Sequence, residues 1–219
     1  MSALIELRDV TVRYDAEHAL KNITLTINEG ERVALVGSSG AGKSTLLRVM
    51  YEQGGVDAAL VPQDFGLVRT LSVFHNVYMG QLRQHGAFYN FANLLKPLRR
   101  EIDAIMPVLE RVEMASKIFE PAGQLSGGQQ QRTAIARAIH QGGSVVMADE
   151  PVSSVDEHQS RRVLDALVES HGTTVLAMHD IELALTYANR IIGLQDGRIT
   201  LDESCDGMSA EDLDGLYGN

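Results

Sequence analysis

The segment Gly37-Ser-Ser-Gly-Ala-Gly-Lys-Ser44 constrains this chain more than any other. It matches the pattern G-x-x-x-x-G-K-[ST] and stands between the apolar run Arg32-Val-Ala-Leu-Val36 and a stretch that reads as a helix. Such glycines let backbone N–H groups curl around phosphate oxygens. The following helix points its positive dipole end at the anion, and Lys43 adds a point charge near β- and γ-phosphates. Ser44 is the residue expected to ligate magnesium. The expected phosphate site comprises Gly37, Ser38, Ser39, Gly40, Ala41, Gly42, Lys43, Ser44 and Thr45. A glycine-rich turn without a ligand is the alternative, and the strand-to-helix context argues against it.

The rest of the chain alternates short apolar runs with longer helical stretches. Strands are expected over residues 4–14, 19–27, 32–36, 58–61, 144–148, 173–177 and 190–194. Several are apolar throughout, as expected of strands covered on both faces, so a mainly parallel central sheet follows. Residues 71–114 read as mostly helical, interrupted by an aromatic loop, Phe88-Tyr89-Asn90-Phe91, and by Pro97 and Pro107, which break or kink helices. The loop aromatics are expected to pack back onto their own domain. The expected fold is an α/β P-loop NTPase over residues 1–219, with an N-terminal antiparallel β portion and a helical subdomain inserted at about 71–140.

Of 219 residues, 29 are acidic and 19 basic, for a formal net charge of −10. That balance argues against nucleic acid as a partner and against anionic lipid bound through bulk charge. Cys205 is the only cysteine, and the start MSALIELRDV lacks the basic and apolar regions of a secretory signal, so the cytoplasm is the expected compartment. No apolar run approaches the roughly 20 residues that cross a bilayer, so membrane association is expected to come through a partner protein.

A phosphate loop alone does not choose among kinases, GTPases and motors. Val145-Val-Met-Ala-Asp-Glu150 is an apolar strand ending in two carboxylates, with Asp149 expected near magnesium and Glu150 where it can polarise a water. Leu125-Ser-Gly-Gly-Gln129 precedes a helix, so Ser126, Gly127, Gly128 and Gln129 offer hydroxyl and backbone donors at a second helix N-terminus. One chain cannot easily use two anion sites on one ligand.

With these motifs the sequence resembles the ATP-binding cassette family, and Tyr14, Gln63, Ser154-Val-Asp156 and His179 follow in the family's order. The resemblance implies two cassettes closing head to tail on ATP and Mg2+, around a RecA-like core, with Ser126 to Gln129 reaching the γ-phosphate held by the other copy. It implies that Tyr14 stacks on adenine, and a buried sheet tyrosine is the alternative. It implies that Gln63 senses magnesium and the attacking water, that His179 holds the γ-phosphate and Glu150, and that Asp156 links the two sites. A helix N-cap is the alternative for Asp156. The implied partners are a second cassette and membrane-spanning permease subunits at the inner face of the cell membrane.

Val61-Pro-Gln-Asp-Phe-Gly-Leu-Val-Arg-Thr-Leu-Ser-Val-Phe-His-Asn-Val77 and Ala148 to Asp156 resemble phosphonate-importer cassettes, as do Asp196-Gly-Arg198 and Leu216-Tyr-Gly218 near the end. That likeness implies import of a phosphonate or related phosphorus oxyanion, served by a periplasmic solute-binding protein. Lys43 and Gln63 stand only 20 positions apart, and the strand insert usual between them in the family is missing. That departure leaves open a soluble cassette acting in assembly or regulation of an enzyme complex.

Overall fold

The computed structural model describes residues 2–14, 17–154 and 156–217. Met1, Val155, Gly218 and Asn219, which belong to segments read above, lie outside the described residues. The chain divides into two compact units: Met1–Leu60 with Ser144–Glu150 and His171–Asn219, and Val61–Gly143 with Pro151–Ser170.

The first unit carries the sheets. Strands β1 (Ala3–Tyr14) and β2 (Glu17–Asn28) pair antiparallel. In β1 the side chains of Ile5 and Leu7 face inward while Glu6 and Arg8 face out, the period-2 pattern of a half-buried strand. The second sheet has the order β4-β5-β6-β3-β7-β8, from β3 (Arg32–Val36), β4 (Ala58–Val61), β5 (Val145–Asp149), β6 (Thr173–Ala177), β7 (Arg190–Gln195) and β8 (Arg198–Ser204). The β5–β6, β6–β3 and β3–β7 pairs are parallel, and β7–β8 is antiparallel. All five residues of β5 and of β6 are buried, which accounts for the apolar residues that fill both strands except at Asp149, Thr173 and Thr174. Helix α1 (Lys43–Gln53) packs Leu46, Leu47 and Met50 into a core shared with Ile5, Ile23, Ile27, Val33, Leu35 and Met147.

Only Gly54-Gly55-Val56-Asp57 joins α1 to β4, which is the structural form of the short Lys43–Gln63 spacing, and the N-terminal antiparallel sheet has two strands. Strand β8 lies outside the runs expected above. Its signal is Asp196-Gly197, whose φ values of 49° and 76° give the tight turn that the twist of paired strands favours.

The second unit is helical: α2 (Val73–Tyr78), α3 (Ala87–Leu95), α4 (Arg99–Arg111), α5 (Gly127–Gln141) and α6 (Glu157–Ser170), while α7 (Ile181–Tyr187) belongs to the first unit. Phe74, Ile105, Leu109, Met114 and Ile135 are fully buried here. Two expectations are corrected. Phe88-Tyr89-Asn90-Phe91 is not a loop but lies within α3, because residues 87–95 contain no glycine or proline and the breakers Gly86 and Pro97 fall outside. Pro107 does not break a helix but sits inside α4, where burial of Ile105 and Leu109 on either side offsets the roughly 3 kcal/mol that an interior proline costs.

Asn76, fully buried in α2, braces the loop before it: its Oδ1 accepts from the Val68 N–H at 2.8 Å, and its Nδ2 donates to the carbonyls of Val68, Leu71 and Ser72. Asn76→Ala should lower unfolding stability by about 1–2 kcal/mol, because it leaves the Val68 N–H without its acceptor and deletes a buried amide, while the carbonyls of Val68, Leu71 and Ser72 keep their backbone partners. Chemical denaturation measures this, and a loss below about 0.5 kcal/mol would mean that water replaces the amide.

Candidate nucleotide site

The phosphate loop begins where β3 ends. Gly37 (φ 141°), Gly40 (φ 81°) and Gly42 (φ 108°) adopt backbone conformations that side chains disfavour. At Gly37 the reason is contact: an added Cβ would lie 2.2 Å from the Leu194 carbonyl oxygen of β7. At Gly40 nothing lies within 4 Å of an added Cβ, so the loop's outer side is open. Gly42 is the N-cap of α1 and supplies no capping side chain, so the helix's first N–H groups are left for an anion. Lys43, buried, curls back and donates to the carbonyls of Gly37 at 2.7 Å and Ser38 at 3.0 Å. Burial holds its ammonium below the usual lysine range, opposed by the Glu150 and Asp149 carboxylates.

Three neighbouring strands supply the reacting groups: Lys43 and Ser44 follow β3, Asp149 and Glu150 stand at the end of β5, and His179 follows β6. This is the carboxyl-end location where open α/β sheets bind ligands. Asp149 is buried, and its Oδ1 has no hydrogen-bond partner. Burial pushes its carboxyl above the usual range. A hydrogen bond from Ser44 pulls it down, Glu150 pushes it up, and Lys43 and His179 lower it further. Glu150 has φ 51°, uncommon for a residue with a side chain, and its N–H donates to the Ala177 carbonyl at 3.0 Å. Its Oε1 lies 2.8 Å from Nε2 of His179.

The donor set suits a magnesium nucleotide. Among the described residues no group of three or more His, Cys, Asp or Glu is gathered to hold a metal alone. Magnesium needs no such cage, because one or two protein oxygens with phosphates and waters complete its shell. The unpartnered oxygen of Asp149 beside Ser44 meets that requirement.

Tyr14 is not a buried sheet residue: its ring is 51% exposed at the end of β1, and its hydroxyl reaches Arg48 on α1.

The remaining residues singled out from sequence lie in the second unit. Gln63 is exposed in the turn after β4, and Arg137 of α5 donates to the carbonyls of Phe65 and Gly66 in that turn. Ser126 caps α5: its hydroxyl accepts from the Gln129 N–H and the Gln129 side chain accepts from the Ser126 N–H. A hydroxyl used as acceptor keeps its own proton for an incoming anion. Ser126, Gly127, Gly128 and Gln129 line a pocket with Asp156 and Ser154. Asp156 is an N-cap, its Oδ1 accepting from the Gln159 N–H at 3.0 Å.

Two residues directly after Gln130, namely Gln131 and Arg132, escaped sequence reasoning. Buried Gln131 accepts from the Ser154 N–H and donates to the Ser153 hydroxyl, tying α5 to the segment that carries Asp156. Arg132 donates to the Val112 carbonyl and to Gln159. Their only sequence signal is their place behind the glycine-rich run.

Asp149→Asn should stabilise the nucleotide-free, metal-free protein by on the order of 1 kcal/mol at neutral pH, about 2–4 °C in melting temperature, by removing a buried and partly unpaired charge. The sign follows from the raised carboxyl. The folded wild type binds that proton more tightly than the unfolded chain, so wild-type stability falls as pH rises from the unfolded value toward the folded one. The gap between variant and wild type therefore closes on acidification. Thermal melts at two pH values test this, and a less stable variant at neutral pH would refute it.

Residues 20–153 match the family model described as ABC transporter. The phosphonates import ATP-binding protein PhnC of Rhizobium etli is 36% identical, covering 98% of this chain and 86% of its own, and PhnC 1 of Halalkalibacterium halodurans is 36% identical over 98% and 95%. The aligned span of 244 positions exceeds the 219 residues here, so the Rhizobium relative carries residues with no counterpart in this chain. The dimeric MJ0796 bacterial ABC transporter cassette superposes with a TM-score of 0.80 at 27% identity, over 93% of this chain and all of the other. The dimeric post-hydrolysis MJ0796 cassette, bound to ADP and Pi, gives 0.79 at 28% over the same shares. A phosphate loop, two strand-end carboxylates and a histidine on adjacent parallel strands, matched over nearly the whole length, place the chain in the ABC transporter family as one of its ATP-hydrolysing cassettes.

Proposed function

We propose that this chain is the ATP-hydrolysing subunit of an importer for a phosphonate or related phosphorus oxyanion. The observation that carries the chemistry is the His179–Glu150 contact at 2.8 Å beside Asp149 and Lys43. The substrate class rests on the relatives named phosphonate importers, at 36% identity across 98% of the chain. The same likeness disfavours the soluble assembly role.

In this reading the phosphate loop and Lys43 hold the β- and γ-phosphates, while Ser44, Asp149 and Gln63 orient Mg2+, which neutralises phosphate charge when bound. Glu150 takes a proton from the attacking water, and His179 fixes the Glu150 carboxylate and the γ-phosphate. Tyr14 stacks on adenine through its exposed ring. Two copies pair head to tail, so that Ser126, Gly127, Gly128 and Gln129 of each approach the nucleotide of the other, with Asp156 at the junction. Residues 71–140 form the helical subdomain set into a RecA-like core. The cassette works at the cytoplasmic face, attached to permease subunits and served by a solute-binding protein. No helix among the described residues is long and apolar enough to cross a membrane.

Glu150→Gln should cut ATP turnover by roughly 10²–10⁴-fold with nucleotide affinity retained, the range for loss of a general base. Unchanged turnover in a phosphate-release assay would remove Glu150 from that role. Lys43→Ala should instead weaken nucleotide binding, read by fluorescent ATP titration, and unaltered affinity would contradict the loop's assignment. Copurification with a membrane-spanning protein tests the importer reading, and recovery with soluble enzymes alone would overturn it.

A further inference from the structure

Helix α3 is built inside out. Its polar residues face inward: Asn93 is buried and accepts from the Leu98 N–H, and Asn90 accepts from the Tyr78 hydroxyl at 2.7 Å and donates to the carbonyls of Leu82 and His85. Tyr89 donates to buried Glu101 at 2.6 Å, with its ring against His85. Its apolar residues face water. Phe88 is 94% exposed, Leu95 71%, Phe91 60% and Leu94 48%. Phe88, Phe91 and Leu95 recur at helical spacing, so they form one stripe rather than scattered exposures.

The charge around this stripe is as unusual as its polarity. From Phe65 to Arg100 the sequence contains no Asp or Glu, while Arg69, Arg83, Lys96, Arg99 and Arg100 are basic, in a chain of net charge −10. Lys96, Arg99 and Arg100 are exposed directly after α3, and Arg99 pairs with the exposed Asp103 at 3.5 Å. An acidic surface is therefore the complementary one.

We propose that the outer face of α3 seats against an anionic lipid surface, with Phe88, Phe91 and Leu95 entering the headgroup boundary and Lys96, Arg99 and Arg100 meeting lipid phosphates. Two features favour lipid over a partner helix. The stripe lies on one helix with its side chains exposed, and a helix partner is ordinarily received in a groove. The combination of an aromatic and leucine stripe with adjoining basic residues is the composition of helices that lie in the membrane interface. A helix this short gives weak, reversible binding, which adds to whatever contact membrane subunits provide. Bulk charge still repels anionic lipid, so attachment is local, through one helix.

The test is co-sedimentation of the full chain with vesicles of mixed phosphatidylcholine and phosphatidylglycerol and with phosphatidylcholine alone. The wild type should pellet with the anionic vesicles, and raised salt should release it. Phe88→Ser with Leu95→Ser, and separately Lys96→Gln with Arg99→Gln and Arg100→Gln, should each lower partitioning by roughly tenfold while basal ATPase is kept. Because Phe88 is almost fully exposed, the first variant is expected to fold, and retained ATPase verifies it. Equal binding to neutral vesicles, or variants that bind like the wild type, would overturn the proposal. So would a wild type that ignores protein-free vesicles and joins only membranes containing a permease, an outcome that assigns the stripe to a protein partner.

Discussion

At Gly37 the backbone of the phosphate loop runs so close to β7 that a Cβ would sit 2.2 Å from the Leu194 carbonyl oxygen. This approach exists because Val36 pairs in register with Gly193, which brings the ends of β3 and β7 level. Gly193 in turn admits Leu216, whose methyl groups would lie 2.7–2.8 Å from a Cβ there. The loop is therefore clamped from one side by sheet backbone, and its freedom is confined to the side where Gly40 is open. Lys43 completes the clamp by bonding two loop carbonyls. A cradle held this way meets a polyphosphate already shaped, which lowers the ordering cost of binding.

Clamped backbone also explains why the charges nearby are held at a disadvantage. Lys43 and Asp149 are both buried, and burial shifts each toward its neutral form. Glu150 occupies a left-handed backbone conformation next to them. Strain and desolvation of this kind persist only where the surrounding structure enforces them, here the buried strands β5 and β6. In the proposed reading, a magnesium nucleotide supplies the charge that Asp149 lacks, so binding relieves what folding imposes.

The parts of this arrangement that the sequence made legible are those written in local pattern. The glycine spacing before Lys43 and the buried run ending in Asp149 and Glu150 announced their elements, because apolar continuity and loop glycines are local signals. Asp196-Gly197 carries an equally local signal for the β7–β8 hairpin, but β8 is half exposed, and its Arg198, Asp202 and Glu203 break the apolar run that marks the other strands. Gln131 and Arg132 were illegible for another reason: their partners lie some 20 residues or more away, at Ser154, Val112 and Gln159, and nothing in a helix sequence marks which polar residue is turned inward. Asp156 shows a milder case, since an N-cap and a functional acid read alike before the helix is seen.

Helix α3 defeated sequence reasoning in a more instructive way. Aromatic residues among polar ones were expected to turn inward, because burial of apolar surface is ordinarily the strongest force driving a chain to fold. Here Asn90, Asn93 and Tyr89 occupy the inner side, each bonded to specific partners, Asn93 through its Oδ1, and losing those bonds in a buried setting would cost more than one exposed phenylalanine. The helix orientation is thus decided by hydrogen bonds rather than by area. The first unit follows the opposite rule, with its sheet core almost wholly apolar. The two units divide the work accordingly: one uses apolar packing to hold a charged site rigid, and in the other α3 uses polar anchoring to keep an apolar surface outside.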